Sequence, residues 1–182
     1  MKLNSNNDLL VIIDMINGFT YEGAFASSNV CKIIPKMTEF VKEMIDNNIE
    51  VVHYTDQHIS NATEFSTYPI HCIKGNNESL PIDALNFKEI SIIPKNSTNG
   101  FFAKNPFDYK KNIYIIGCVS DICVFEFALS AQKYKEEKEL TYTVNVISDL
   151  VATFDAPNHD AKIVHEEYMN NLKNRGVNII SL

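Results

Sequence analysis

A chain of 182 residues, 45% of them hydrophobic, is long enough to bury one core of ordinary size, and a single domain over residues 1–182 is expected. Its 16 basic and 23 acidic residues leave a net charge of −7, and no Lys/Arg block stands ready to neutralise a phosphate backbone or an anionic lipid surface, so nucleic acid and membrane are excluded as partners. No apolar run reaches the roughly 20 residues of a bilayer span, and the start MKLNSNNDLLVII lacks a signal core and cleavage site, so a cytoplasmic protein with reduced thiols is expected.

The first element is DLLVIID at 8–14, a nearly continuous apolar run ending in an acid, as strands buried on both faces read. Helical spacing follows over 30–48, where Ile33, Ile34, Met37, Phe40, Val41, Met44 and Ile45 share a face. Further strands are expected at 49–55, 89–94, 112–119, 141–148 and 177–182. Further helices fit 121–137 and 157–174, the latter with Asp155 near its N-cap, Pro157 in its first turn and Gly176 just past its end. His159 and His165 would lie six apart on that helix, in packing or capping roles, as would His53 inside its strand. The alternation predicts an α/β, three-layer doubly wound fold on a six-stranded parallel sheet. Only 56–88 breaks the rhythm, with a stretch longer than a structural connection needs.

Open parallel sheets bind ligands beyond the carboxyl ends of their strands, above all where strand order reverses. Asp14, Asp56, Lys95 and Cys123 all fall at such ends, and an order of 3-2-1-4-5-6 places Asp14 beside Cys123. With Ser120 or Asp121 as N-cap, Cys123 occupies the first turn of a helix, where the dipole and a nearby Lys are expected to lower its thiol pKa. A free cysteine is more often a small buried hydrophobe, which suffices for Cys31 and Cys118. For Cys123 the convergence of an acid and an ammonium favours a nucleophile. In the long loop, Asp56, His58, Glu64 and His71 are ligand types for a borderline divalent metal, with Cys72 a competitor to His71. Spacing alone fits a solvated polar loop at least as well.

The stretches DMINGF at 14–19, TDQH at 55–58, YPIHCIKG at 68–75, PKNSTNGF at 94–101 and GCVSDICV at 117–124 together resemble the isochorismatase-like cysteine hydrolases, and among these most the nicotinamidases. The resemblance implies a catalytic triad of Asp14, Lys95 and Cys123, a cis peptide before Val119, and an oxyanion hole from the N–H groups of Val119 and Cys123. It also implies a metal held by Asp56, His58 and His71, with Glu64 resembling a further ligand, and a substrate ring lined by Phe19 and Tyr68. The sequence departs from the family pattern at Gly18, Gln57, Ile59, Tyr68 and Asn76, which bears on pocket shape. The expected reaction is conversion of nicotinamide to nicotinate and ammonia through a cysteine thioester. The alternatives are a related amidase acting on another small amide or carbamoyl compound, or a catalytically silent binding domain on the same fold. The expected cofactor is one divalent ion, zinc first and iron or manganese as alternatives, and self-association into a homo-oligomer stays open.

Overall fold

The computed structural model of the protein describes residues 4–109 and 111–182. Six parallel strands form one sheet: β1 (Asp8–Ile13), β2 (Glu50–Asp56), β3 (Ile90–Lys95), β4 (Asn112–Cys118), β5 (Val144–Ala152) and β6 (Asn178–Ile180). Their order is β3-β2-β1-β4-β5-β6, so the direction of winding reverses between β1 and β4, as expected. Every residue of β1 is buried, which explains why DLLVII carries apolar side chains on both faces. Leu10 and Ile12 join one core and Leu9, Val11 and Ile13 the other, the strict alternation that a pleated strand imposes.

A short helix α1 (Asn17–Thr20) leads to α2 (Ser28–Asp46), whose N-cap Ser27 accepts a bond from the Asn29 N–H. Helix α2 closes the first core with Val30, Ile34, Met37, Phe40, Val41 and Met44. Each of these side chains stabilises the fold by roughly 1.5–3 kcal/mol through leaving water. Helices α3 (Cys123–Glu137) and α4 (Ala161–Lys173) cover the opposite face, where Val124, Phe127, Ala128 and Ala131 meet Met169 and Leu172. Among the described residues no helix is long and apolar enough to cross a membrane.

Gly117 shows how tightly the sheet is drawn at the reversal. It has φ 122°, and a Cβ there would lie 2.0 Å from the Ile13 carbonyl oxygen, so only glycine lets β4 approach the end of β1.

Two helix starts differ from expectation. Helix α4 begins at Ala161 under an N-cap by Asp160, whose side chain accepts from Lys162 and Ile163 N–H groups. Pro157 and His159 therefore lie in the turn before the helix, while the Asp155 carboxylate accepts the Ala161 N–H. The N-cap of α3 is Ile122, without a side-chain bond, because Ser120 and Asp121 are engaged with His165 and with Thr153 and His159 instead. Strand β5 also runs later than 141–148, through a register shift against β4 between Ile115 and Gly117.

Candidate functional site

The polar residues at the strand ends meet in one buried pit. Asp14 leaves β1 with φ 51°, a left-handed turn that a short polar side chain tolerates, and its Oδ1 accepts the Asp56 N–H at 2.9 Å. The Lys95 ammonium lies 2.8 Å from Asp14 Oδ2, pairs with Asp56 Oδ1, donates to the Ser97 carbonyl at 3.1 Å and stands 3.9 Å from Cys123 Sγ. Asp14, Asp56 and Lys95 are each at most 2% exposed and Cys123 is 3% exposed, so these charges interact with little screening. Asp14, Asp56 and Cys123 could by spacing alone form a metal group, but the Lys95 ammonium already stands among them.

Burial, reinforced by the charge of Asp56 and opposed by Lys95, pushes the Asp14 carboxyl up to about 7. Burial works against the charge of Lys95, yet the carboxylates of Asp14 and Asp56 outweigh it and hold its pKa well above the ordinary value. The Cys123 thiol departs from expectation. Burial, with Asp14 adding to it and Lys95 opposing, drives its pKa well up rather than down. A first-turn position does not compensate for complete desolvation beside two carboxylates. The thiol therefore rests protonated and needs a base, and Asp14 is the carboxylate built beside it.

A second constellation adjoins the first. His58 Nε2 lies 3.5 Å from Asp56 Oδ2 and 3.7 Å from Glu64 Oε1, and His71 Nε2 lies 3.7 and 3.9 Å from the same two oxygens. These gaps are long for hydrogen bonds, whereas ligands about 2.0–2.2 Å from a tetrahedral ion stand roughly 3.3–3.6 Å apart. Asp56 Oδ2, Glu64 Oε1 and His58 Nε2 are buried without a hydrogen-bond partner, which fits donors gathered for a cation. The remaining atoms orient them. Asp56 Oδ1 is held by Lys95, Glu64 Oε2 accepts the Thr98 N–H at 2.9 Å, and His71 Nδ1–H donates to the Pro69 carbonyl at 2.8 Å, leaving Nε2 free to ligate. A parallel bridge between His58 and Ile73, closed by the His58 N–H to the Cys72 carbonyl and the Lys74 N–H to the His58 carbonyl, sets the two histidines side by side. Cys72 is not among the converging ligands, its Sγ lying instead close over Gly18.

Above the pit is a cavity lined by Phe19, Tyr68, Val119, Cys123, Phe25 and Phe154. The Cys118–Val119 peptide is cis. Among the described residues neither the Val119 nor the Cys123 N–H has an acceptor, although those of Ser120, Ile122 and Val124 do. Phe25 and Phe154 escaped the sequence reading. Phe25 sets its edge against His71 at 4.8 Å, and its only signal is an aromatic in the small-residue loop TYEGAFASS. Phe154 follows β5, and ending that strand at 148 concealed that it stands at a strand's carboxyl end.

A family model described as Isochorismatase domain matches residues 8–181. The chain belongs to the isochorismatase domain family. It is 28% identical to Nicotinamidase 1 of Arabidopsis thaliana, over 94% of this chain and 84% of that protein. Its fold matches the pyrazinamidase of Pyrococcus horikoshii in complex with zinc at TM-score 0.79 and 24% identity, covering 97% of this chain and 99% of the other. The N-carbamoylsarcosine amidase of Thermoplasma acidophilum matches equally, with TM-score 0.79 and 23% identity over 96% of each chain. At these identities the solved structures establish that the six-stranded sheet is the isochorismatase-family fold.

Proposed function

We propose that this hydrolase of the isochorismatase family cleaves the carboxamide of nicotinamide to give nicotinate and ammonia. The observation that carries the reading is the Lys95 ammonium set between Asp14 and Cys123 beside an aromatic cavity lined also by Asp56, Glu64 and His71, with His58 gathered next to Asp56 and Glu64. Similarity to a plant nicotinamidase over most of both chains supports it.

Asp14 takes the thiol proton as Cys123 Sγ bonds to the carboxamide carbon. The oxygen of the tetrahedral adduct gains negative charge and is received by the otherwise unbonded N–H groups of Val119 and Cys123. As the C–N bond breaks, Asp14 returns the proton to nitrogen and ammonia departs, leaving a thioester on Cys123. Water then adds to the thioester and gives one proton to Asp14, which passes it to the departing sulfur as the carboxylic acid forms, and the acid loses its own proton to the released ammonia or solvent to become nicotinate. Lys95 keeps its charge throughout and offsets the negative charge passing between Asp14 and Cys123.

Asp56, His58, Glu64 and His71 would hold a divalent ion, zinc first and iron or manganese as alternatives. Such an ion, when bound, offers the pyridine nitrogen a Lewis-acid partner that orients the ring. Phe19, Tyr68, Phe25 and Phe154 enclose the ring and exclude water from the scissile carbon. The test is ammonia release by the purified, metal-analysed protein from nicotinamide and from benzamide, which lacks the ring nitrogen. Fast release from nicotinamide is expected, with slow release from benzamide. Equal rates on both, or none on nicotinamide, would refute the assignment.

A further inference from the structure

The turn between β5 and α4 presents His159 to two acceptors. Its Nε2 lies 3.0 Å from Asp121 Oδ2 and its Nδ1 lies 2.9 Å from the Phe154 carbonyl oxygen. A neutral imidazole has a single N–H, so a ring bonded to a carboxylate at one nitrogen and a carbonyl at the other carries both protons. The same ring lies flat on Phe154, with centroids 4.2 Å apart and planes inclined by 2°. A cationic ring over an aromatic face is an attractive pair. Reciprocal backbone bonds between Ala156 and His159 close the turn that folds the imidazole back onto Phe154. Asp121 in turn accepts the Thr153 hydroxyl at 2.6 Å, and it belongs to the loop between Val119 and Cys123. Phe154 thus both lines the cavity and carries the His159 ring stacked on it.

We infer that His159 is a positioning residue for the substrate: as an imidazolium clamped between Asp121 and the Phe154 carbonyl, it backs Phe154 as the fixed wall against which an aromatic amide is held over Cys123. The inference rests on the aromatic-amide reading above and deepens it, because it assigns recognition of the ring partly to a residue outside the cavity.

The charged neighbours agree with a cationic ring. Asp121 faces it from the loop before α3, and Asp155, Asp160 and Glu167 line the surface cleft it shares, with no cation among the charged residues of that cleft in the described residues. Burial disfavours the charged ring, but the hydrogen bond and charge of Asp121 outweigh it and raise the pKa above 6.5. The clamp is accordingly complete below the ordinary imidazole pKa and is lost as pH rises through the raised value. Deprotonation then removes one bond and the charge that held Phe154.

The experiment pairs NMR titration of the His159 ring in wild type and Asp121→Asn with steady-state turnover of nicotinamide by wild type, His159→Gln and His159→Ala. At pH 6 the wild-type ring is expected to show both N–H protons, and to titrate at higher pH than in Asp121→Asn. His159→Ala should raise KM at least fivefold while changing kcat less than twofold. His159→Gln, which keeps a donor without a charge, should recover part of the KM and lose its rise toward alkaline pH. A neutral imidazole in the wild type at pH 6, or a KM unchanged in both variants, overturns the inference. If wild type fails to turn over nicotinamide, the reaction assignment falls, and the NMR titration decides the clamp by itself.

Discussion

Cys123, Cys118 and Cys31 have the same side chain in three settings, and their substitution should separate chemistry from packing. Cys123→Ala is expected to abolish ammonia release while the circular dichroism spectrum stays unchanged, because in the proposed scheme Sγ is the atom that carries the acyl group. Wild-type-like turnover in that variant would sink the thioester scheme. Cys118 is fully buried with its thiol donating to the Asp14 carbonyl at 3.1 Å, and half-buried Cys31 donates to the Thr20 carbonyl at 3.1 Å. Alanine at either position should reduce stability by about 1 kcal/mol and leave the rate within a few-fold, as urea unfolding and a parallel assay would show. Asp14→Asn should slow turnover by about 10²- to 10⁴-fold, the ordinary worth of a general base, in a single-turnover measurement. Gly18 stands where the family pattern has an acid, and a Cβ there would lie 2.5 Å from Cys72 Sγ and 3.1 Å from the Glu78 carbonyl oxygen. Gly18→Asp should therefore destabilise the protein by roughly 1–3 kcal/mol through overpacking, lowering its urea midpoint.

At the scale of elements, the turn that follows β1 is tied to strand β2 by His53. Its Nε2 accepts the Met15 N–H at 3.1 Å, and burial, with the charge of Lys95, lowers its pKa to about 3. The unfolded chain takes up this proton near pH 6.5 and the folded chain only near pH 3, so stability contributed by neutral His53 is whole above pH 6.5 and declines as pH falls through that window. His53→Gln keeps an acceptor without the titration, and its unfolding free energy should vary less between pH 6.5 and pH 4 than that of wild type. An identical pH slope in the two proteins would remove His53 as the cause. The strands and α2 were legible in the sequence because burial on both faces or on one stripe leaves a periodic apolar trace. The start of α4 was not, because Asp155 and Asp160 are both acceptable caps and only the turn closed by Ala156 and His159 selects the second. The engagement of Asp121 by Thr153 and His159, in place of a cap on α3, is likewise a contact between distant segments that no local pattern encodes.

Across the whole molecule, the cysteine site and the metal-type site share Asp56, one oxygen facing Lys95 and the other facing the histidines. The buried, unbonded donor atoms mean that an ion binding the folded state alone should stabilise it by about 2.7 kcal/mol at a hundredfold excess over its Kd. Adding chelator is expected to lower the melting temperature of wild type, and to leave that of a His58→Ala, His71→Ala double variant unchanged. Nicotinamide turnover should fall with chelator far more than benzamide turnover, since only the former has a ring nitrogen to lose its partner. Equal loss on both amides would count against an orienting ion. The sequence by itself determined the parallel α/β class, the strand-end placement of Asp14, Lys95 and Cys123, and the family, because each is written in local periodicity or in a short ordered motif. Only the tertiary structure decided that the Cys123 thiol is raised rather than lowered, that Asp56 serves both constellations, that Phe25 and Phe154 complete the cavity, and that His159 stacks on Phe154. Those outcomes depend on desolvation and on contacts between residues far apart in the chain, and neither quantity exists until the sheet has closed and expelled water from the ends of β1, β2, β3 and β4.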